Sequence, residues 1–461
     1  MSTKHAIAAA RFLENKENEA WHDHTLWMVR TKRDKMSHSL PEWERLRELA
    51  SEIKLYSNSH LDTLLEEFEK NAIANGAIVH WAKDAEEHNE IVLRILRQHD
   101  ARNLIKSKSM LTEECHMNEF LMSKGIDVVE SDLGERILQL MHLAPSHIVM
   151  PAIHIKREQI SEMMEREMGT EKGNIDPTYL THAARKNLRE KFLHADVAMT
   201  GVNFAVASTG EIVVCTNEGN ADMGTSFPKV HIATMGMEKI VPNLEALGVF
   251  TRLLARSGTG QPITSYTSHY RRPREGGEYH IIIVDNGRSA LLSKPDHIKT
   301  LNCIRCGACM NTCPVYRRSG GYSYTYFIPG PIGINLGMAH APEKYYDNLS
   351  ACSLCMSCSD VCPVKVDLAE QIYKWRQDLD GLGKANTGKK IMSGGMKFLM
   401  ERPALFNAAL WAAPMVNGLP RFMKYNDFDD WGKGRELPEF AKESFNEMWK
   451  KNEVQGKEES K

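Results

Sequence analysis

Apolar positions in the first part of the chain recur at the spacing of a helix face. Up to about residue 75, positions such as Leu46, Leu49 and Ile53 lie among abundant charges, which is the pattern of amphipathic helices. We therefore predict a helical arm over residues 1–75 and expect it to carry no chemistry. Three tryptophans and a histidine in the arm are expected to be buried against the next domain: Trp21, His22, Trp27 and Trp43.

From about residue 76 to residue 290 the pattern changes to short β-rich runs separated by helical stretches. Eight runs are candidate strands: Ala77–Trp81, Leu104–Lys106, Asp127–Glu130, His147–Met150, Val197–Thr200, Ile212–Thr216, His231–Met235 and His280–Val284. Four stretches between them have helical periodicity: Ala85–Gln98, Glu135–Leu143, Arg157–Glu167 and Tyr179–Phe192. This alternation predicts an α/β domain with a largely parallel sheet.

Two near-copies of one cysteine motif define the chemistry of residues 291–380. The first is Cys303, Cys306, Cys309 and Cys313, followed by Pro314, and the second is Cys352, Cys355, Cys358 and Cys362, followed by Pro363. Both have the C-x2-C-x2-C-x3-C-P spacing of [4Fe-4S] proteins, in which the fourth cysteine of each run binds the other cluster when two are present. The spacing predicts two clusters, one on Cys303, Cys306, Cys309 and Cys362 and the other on Cys352, Cys355, Cys358 and Cys313. The alternatives are structural zinc, which favours separated CxxC pairs, and disulfides, which need an oxidising compartment.

A segment rich in glycine, proline and tyrosine separates the two motifs, from Tyr316 to Gly333. It either shields the clusters from water or forms a docking surface for an electron-transfer partner. Shielding is favoured because aromatic residues and glycines pack closely around buried cofactors. After the second motif, Asp367–Asp378 has helical periodicity, and its apolar face is expected to pack beneath the second cluster: Leu368, Ile372 and Trp375.

Composition narrows the class of function. A chain of 461 residues should hold about two to four domains. Its 58 Lys and Arg nearly balance its 60 Asp and Glu, so no nucleic-acid surface is predicted. Eight of the ten cysteines belong to the motifs, leaving Cys115 and Cys215, a usage that fits a reducing cytosol. We expect Cys215 to be a buried core thiol.

No segment predicts export or a membrane span. The apolar run Ala6–Ala10 is too short for the core of a secretory signal. No stretch reaches the roughly 18 uncharged apolar residues that a spanning helix needs. We therefore expect a cytoplasmic protein.

From residue 381 to residue 461 the chain is predicted to be a helical extension with a flexible tail. Its apolar patch, Ala404–Leu419, is either an interfacial helix that touches a membrane or partner, or a helix that packs on the domain. An interfacial helix would place the protein peripherally at the inner face of the membrane, and four cations flank the region: Lys389, Lys390, Lys397 and Arg402. The last stretch, Lys450–Lys461, is expected to be disordered.

A polar, glycine-rich series in the α/β domain is a candidate pocket. Its members follow or join candidate strands, where an open α/β sheet usually places its ligand crevice: Thr200, Gly201, Asn203, Thr209, Asn217, Glu218, Gly219 and Asn220. The alternative is a set of ordinary turns, which require the same residue types. Gly258-Thr259-Gly260 lacks the third glycine of a dinucleotide fingerprint, so no NAD site is predicted, and no flavin site is recognised.

Six stretches resemble the lactate-utilisation (LUD) domain: Lys106–Met110, Glu130–Glu135, Ala144–Val149, Thr200–Ala205, Thr216–Asn220 and Gly236–Pro242. That domain is similar in fold to ribose-phosphate isomerases and coenzyme A transferases. A LUD domain followed by a mostly helical two-cluster ferredoxin-type module resembles the lactate-utilisation iron-sulfur protein B family, over about residues 75–380. The fold class implied is α/β plus α.

The resemblance implies an iron-sulfur electron-transfer component of a complex that oxidises L-lactate to pyruvate. Its implied partners are a CCG-repeat protein, a bare LUD protein and an electron acceptor, and catalysis lies either here or on another subunit. In coenzyme A transferases a glutamate is the nucleophile, and Glu218 is the candidate for comparison. The alternative is a structural carboxylate in the Asn217-Glu218-Gly219 turn.

Two other functions stay open. The chain could be the electron bridge of another 2-hydroxy-acid dehydrogenase, such as one for glycolate. It could also be a scaffold or redox sensor whose clusters report oxygen or iron status.

Overall fold

Four amphipathic helices form the amino-terminal arm in the computed structural model, which describes residues 3–384, 387–420, 423 and 439–451. They are α1 (Lys4–Glu14), α2 (Lys16–His38), α3 (Trp43–Ser59) and α4 (Leu61–Ala74). Thr3 and Asn15 cap the first two helices by accepting hydrogen bonds from Ala6 N and Asn18 N. The helical prediction for the arm is confirmed.

The predicted burial of the arm's aromatic residues holds for His22 and Trp43, whereas Trp21 is half-buried. The prediction is wrong for Trp27, which is 53% exposed. Leu26 and Val29 set the inward face of α2, and Trp27 is about 100° round the helix from Leu26. There it packs on the surface under the Arg317 guanidinium, 4.4 Å from its ring centre.

Ten strands lie in the next part of the described chain: β1 (Ile78–Ala82), β2 (Asn103–Lys106), β3 (Asp127–Glu130), β4 (Val197–Gly201), β5 (Phe204–Val206), β6 (Glu211–Thr216), β7 (Val230–Gly236), β8 (Ile240–Val241), β9 (Tyr266–Tyr270) and β10 (Glu278–Val284). Six of them form a parallel sheet in the order β1-β10-β7-β4-β2-β3. In the central strand β7, Ile232 pairs with Met199 on one side and His280 on the other. The predicted parallel α/β domain is confirmed.

A smaller mixed sheet has the order β8-β5-β6-β9. β5 runs parallel to β8, whereas β6 is antiparallel to both β5 and β9. The β5–β6 turn contains Gly210 with φ of 67°. A Cβ at this glycine would lie 2.3 Å from Ala72 N, so the turn packs directly against α4.

Nine helices accompany the sheets in the described chain: α5 (Ala85–Gln98), α6 (Met110–Glu114), α7 (Met117–Ser123), α8 (Leu133–Met141), α9 (Arg157–Met168), α10 (Pro177–Leu193), α11 (Asn220–Ser226), α12 (Leu244–Gly258) and α13 (Arg288–Leu292). Alternate residues of β10 serve opposite faces of the parallel sheet, as the period of a strand requires. Ile282 and Val284 join the core under α5 and α7, while Ile281 and Ile283 join the core with α4.

The predicted strand His147–Met150 is wrong, because this segment is an irregular loop. Pro145 and Pro151 bound the apolar run, and the chain folds around the buried ring of His147. Its Nδ1 accepts hydrogen bonds from Val149 N and Met150 N at 3.0 and 3.1 Å. These bonds take the place of a strand ladder.

Six helices form the cysteine-rich part: α14 (Ala308–Thr312), α15 (Pro314–Ser319), α16 (Gly330–His340), α17 (Pro342–Tyr345), α18 (Ser357–Asp360) and α19 (Leu368–Gly381). Short 3-10 helices precede each motif, at Ile298–Asn302 and Tyr346–Ala351. Gly381 ends the first of two structural units. The predicted mostly helical module is confirmed.

The second unit begins at Leu382 and contains α20 (Thr387–Met400), α21 (Pro403–Ala412) and α22 (Phe445–Lys450) among its described residues. Its apolar side chains are exposed, including Ile391 and Trp411 at 72% each. Most of the predicted disordered tail, residues 452–461, lies outside the described residues. Within the described ranges, no helix has the length and apolar character needed to span a membrane.

Candidate iron-sulfur centre and adjoining cleft

The two cysteine motifs fold into loops with the same backbone conformation. Two residues after the first cysteine, Arg305 and Leu354 have φ of 60° and 54°. One residue after the second cysteine, Gly307 and Met356 have φ of 78° and 63°. Left-handed φ is costly for residues other than glycine. Its recurrence at matching positions indicates that both loops are shaped to wrap a common object.

Backbone amides point at the sulfur atoms in both loops. Arg305 N donates to Cys303 Sγ at 3.4 Å, and Leu354 N donates to Cys352 Sγ at 3.3 Å. The last cysteine of each motif also receives such a bond: Cys313 Sγ from Tyr316 N at 3.5 Å and Cys362 Sγ from Val366 N at 3.4 Å. Hydrogen bonds to sulfur stabilise thiolates and tune cluster potentials.

The thiols of the two motifs come together in the structure, four of them around one cavity and four that influence one another's charge. Three cysteines of the first motif line one small cavity with the last cysteine of the second: Cys303, Cys306, Cys309 and Cys362. Burial raises the pKa of the remaining cysteine of the first motif, Cys313, to about 11, and Cys352 and Cys355 add to the effect. Burial likewise raises the pKa of Cys358, with further contributions from Cys313, Cys352 and Cys355.

These two groups fit two [4Fe-4S] clusters. Each offers four soft sulfur ligands, and iron would bind them as thiolates, with loss of their protons. When bound, such clusters supply one-electron redox chemistry. The group around Cys303 is the more enclosed, whereas Cys355 in the other group is exposed.

The segment between the motifs is buried over the cysteine loops. Tyr316, Tyr324 and Tyr326 are at most 7% exposed. The Tyr316 hydroxyl donates to Ser146 O at 2.6 Å, which ties this segment to the α/β domain. This packing favours shielding of the cysteine groups over docking.

Helix α19 packs differently from the prediction. Leu368 lines the cavity of the Cys303 group, so it does not lie beneath the second group. Trp375 stacks on the His297 ring with centroids 3.5 Å apart. Ile372 is buried in the same core. Cys362 lines the cavity of the Cys303 group, and α19 begins shortly after that cysteine. The start of α19 therefore lies at the same cavity.

Helices of the arm contact the second cysteine motif. These contacts were not predicted, because the arm was expected to carry no chemistry. Arg33 Nη2 donates to Val361 O at 3.0 Å, and Arg47 Nε donates to Cys362 O at 3.1 Å. The buried Lys54 ammonium donates to Glu238 O. Arg33 and Arg47 therefore bind the backbone at the last cysteine of the second motif, and Lys54 binds the backbone of the cleft wall.

A cleft of about 330 Å³ lies between the carboxyl ends of the strands and the first cysteine loop. Its walls include residues that end β4, β6 and β7, namely Gly201, Thr216 and Gly236. Arg305 and Cys306 line both this cleft and the cavity of the Cys303 group. The cleft and that cysteine group thus share a wall.

Five of the predicted pocket residues line the cleft: Gly201, Asn203, Asn217, Glu218 and Asn220. The other three lie elsewhere. Thr200 Oγ1 is hydrogen-bonded to His231 Nε2 at 2.8 Å, and Gly219 is the left-handed cap of α11. Thr209 is in the β5–β6 turn, where its carbonyl accepts from Asn75 Nδ2 at 2.8 Å.

Glu218 is exposed at the cleft, where Leu133 N donates to its Oε2 at 3.0 Å. The concave surroundings partly desolvate it, and this desolvation and the Asp132 carboxylate raise its pKa to about 7. The group can therefore hold or release a proton near neutral pH.

A buried ion network forms another part of the cleft wall. Arg288 binds Glu114 through both terminal nitrogens at 2.9 and 3.0 Å and Glu238 through Nε at 2.5 Å. Arg305 Nη2 lies 3.5 Å from Glu238 Oε1. Burial opposes ionisation of Glu238, but the cations Arg288, Lys239 and Arg305 hold its pKa at about 2.

Sequence reasoning missed the cations of the cleft, which are Lys108, Lys239, Arg288 and Arg305. Lys108 and Lys239 lie within stretches that resemble the LUD domain, so that resemblance was the available signal for them.

The two isolated cysteines differ in their surroundings. Cys115 is buried, whereas Cys215 is half-buried and lines the cleft, so the prediction that it is a core thiol is wrong.

Comparison with known proteins identifies two domains in this arrangement. The LUD domain model matches residues 65–288, and the 4Fe-4S dicluster domain model matches residues 299–366. The chain is thus a LUD protein with a dicluster iron-sulfur domain.

Relatives match nearly the whole chain. The chain is 42% identical to "Lactate utilization protein B" of Bacillus pumilus, covering 90% of each chain. It is 43% identical to the protein of that name from Geobacillus thermodenitrificans, covering 81% of this chain and 80% of the relative. It is also 40% identical to "Uncharacterized electron transport protein YkgF" of Escherichia coli, covering 92% of each. The chain belongs to the lactate utilization protein B family.

Proposed function

We propose that this protein is the iron-sulfur electron-transfer component of a complex that oxidises L-lactate to pyruvate and so allows growth on lactate. The observation that carries the proposal is a cavity lined by four thiols from both motifs, which shares a wall with the cleft of the LUD domain. The names of the relatives refer to lactate utilization and to electron transport, and they support the same role.

The proposed ligands follow the crossover between motifs. Cys303, Cys306, Cys309 and Cys362 hold the first cluster, and Cys352, Cys355, Cys358 and Cys313 hold the second. Left-handed loop residues aim the thiols inward, and the tyrosines between the motifs exclude water. The exposed Cys355 marks the second cluster as the one nearer to partners.

The proposed partners are a CCG-repeat protein, a bare LUD protein and an electron acceptor. The test uses anaerobically purified chain, with iron and sulfide analysis and electron paramagnetic resonance before and after addition of L-lactate, with and without the two companions. We expect about eight irons per chain and reduction by lactate only with the companions present.

The same experiment separates the competing functions. Reduction by glycolate in preference to lactate would replace lactate as substrate. Rapid loss of the clusters in air, coupled to altered partner binding, would favour a redox sensor. Zinc in place of iron after anaerobic purification would overturn the cluster assignment.

Cys362→Ser and Cys313→Ser test the crossover. Cys362→Ser is expected to remove the signal of the first cluster and Cys313→Ser that of the second. A matched control is Cys115→Ser, which changes a buried thiol outside both motifs. Loss of the same cluster signal in both variants would contradict the proposed ligand sets.

A further inference from the structure

Four cations and four carboxylates line the cleft, but they are not paired one to one. Glu114 and Glu238 are engaged by Arg288, whose three donor nitrogens contact them. Lys239 makes no hydrogen bond or ion pair with any residue that the structure describes, although it is half-buried in the cleft wall. The one ion pair that Arg305 makes with a described residue is a 3.5 Å contact with Glu238.

Lys239 and Arg305 line the same cleft. Burial lowers the pKa of Lys239 to about 8, and although Glu238 opposes the fall, the Arg305 guanidinium lowers it further. The Arg305 side chain is 11% exposed, and its Nη1 is a buried donor without a partner among the described residues. Two cationic side chains with unused donors in one cleft can bind an anion.

The remaining lining limits which anion fits. Asn203, Asn217 and Gln261 provide neutral donors and acceptors, while Val202 and Leu254 are apolar. The carboxylates of Asp132 and Glu218 line the same cleft and would repel a dianion such as phosphate. A monoanion with a planar carboxylate satisfies a guanidinium and an ammonium at once.

We propose that the cleft binds a small 2-hydroxy or 2-oxo monocarboxylate, with its carboxylate held by Lys239 and Arg305 beside the Cys303 group. Cys306 lines both spaces, so this ligand lies against the first cysteine group and away from the second. The amide side chains of the cleft then face its hydroxyl or oxo group. The LUD domain on this basis is the substrate-binding part of the chain.

Because this inference rests on the proposed function for its choice of ligand, the test measures binding apart from electron transfer. The iron-loaded chain alone, without companions, is titrated anaerobically with L-lactate in a calorimeter. Pyruvate, the uncharged methyl ester of lactate and inorganic phosphate are titrated in parallel. We expect lactate and pyruvate to bind and the ester and phosphate to bind at least about tenfold more weakly, because the ester lacks the charge that pairs with both cations.

Lys239→Gln leaves a polar side chain that is one atom shorter and removes the charge, and it is expected to weaken lactate binding about tenfold or more. Lys229→Gln is the matched control, because Lys229 is exposed just before β7 at the opposite end of that strand. Arg305→Lys keeps the positive charge inside the cysteine loop. Alone, it should weaken binding less than the double variant that also carries Lys239→Gln. Iron content is measured for every variant to verify that both clusters are present.

Equal binding of lactate and its methyl ester, or an unchanged affinity in Lys239→Gln, overturns the inference. Equal or tighter binding of phosphate overturns the monocarboxylate class. An iron-loaded chain that passes electrons with its companions but binds no lactate also refutes the inference and leaves the proposed function standing. A chain that binds lactate through Lys239 but is never reduced with its companions refutes the proposed function alone.

Discussion

At the scale of single residues, the matched left-handed positions of the two cysteine loops are the most informative feature. Gly307 and Met356 occupy the same place in their loops, yet only the first is a glycine. The cysteine spacing was sufficient to predict both loops. The sequence did not reveal the strained backbone at Arg305, Leu354 and Met356, because these residue types normally avoid this region.

Met356→Gly is therefore expected to stabilise the second loop. Glycine adopts positive φ without the steric cost of about 1 kcal/mol that Met356 bears, and Met356 is 48% exposed, so little packing is lost. The measurement is the midpoint of anaerobic thermal unfolding. The control is Met122→Gly at an exposed position of α7, which should destabilise the protein by about 1 kcal/mol. A lower midpoint for Met356→Gly would contradict the strain argument.

A buried acidic group beside β2 gives a prediction for pH. Lys106 is fully buried and lies 2.7 Å from Glu130 and 3.0 Å from Glu113. Glu135 is also buried, and its Oε1 has no hydrogen-bond partner among the described residues. Burial, together with the charges of Glu130 and Glu113, raises the pKa of Glu135 to about 8.

A carboxyl group with a raised folded-state pKa contributes stability below its ordinary pKa and loses it as pH rises through the raised value. Glu135 should therefore destabilise the fold progressively as pH rises from about 4.5 to about 8, with no further loss above that value. Glu135→Gln stays neutral, so it should differ little from the parent near pH 4.5 and be more stable than the parent by more than about 1 kcal/mol at pH 8. Thermal midpoints across this pH range measure the difference, with the exposed Glu119→Gln as control. Parallel pH profiles for Glu135→Gln and the parent would refute it.

At the scale of elements, periodicity predicted seven of the ten strands and four of the helices between them, but it missed three strands and the 15-residue helix α12. β8 has two residues and β5 has three, too few for a period of two to be visible. The polar strand β9 lies at a sheet edge and is mostly accessible, so burial left no pattern in it. The cleft cations were missed for a related reason, since they come from segments after β2 and β7 and from a cysteine loop that only the fold brings together.

The close approach of α4 to the β5–β6 turn gives a prediction at this scale. Gly210→Ala would add a Cβ against the backbone of Ala72 in α4 and would also strain a left-handed residue. Gly125 has similar φ, 83°, but open space around the added Cβ. Gly125→Ala should cost about 1 kcal/mol, and Gly210→Ala should cost at least about 2 kcal/mol more. Similar thermal midpoints for the two variants would mean that the arm does not pack here as described.

At the scale of the molecule, the first structural unit lines up a cleft, an enclosed cysteine group and a second group with an exposed cysteine. Cys362 belongs to the second motif in sequence but lines the cavity of three cysteines of the first, so that cavity is not complete without both motifs. For the proposed function, this order suits electron transfer between a site in the LUD domain and a partner at the surface.

The second unit yields a prediction about membranes, since we propose peripheral contact through its apolar side chains. Trp411 and Ile391 are exposed, and α20 carries Lys390 and Lys397, complementary to anionic lipid. The full chain should sediment with phosphatidylglycerol vesicles at low salt, and Trp411→Gln should reduce the bound fraction. Trp27→Gln, at an exposed tryptophan of the arm, is the control. Failure of the parent chain to sediment at low salt would end the membrane proposal.

The contacts of the arm also have a consequence for biosynthesis. The ribosome completes α2 and α3 early, but their polar partners at Arg317, Val361 and Cys362 follow about 300 residues later. The full set of three contacts therefore forms only after the last cysteine has been synthesised, and a chain that ends before the second motif lacks the two bonds to Val361 and Cys362.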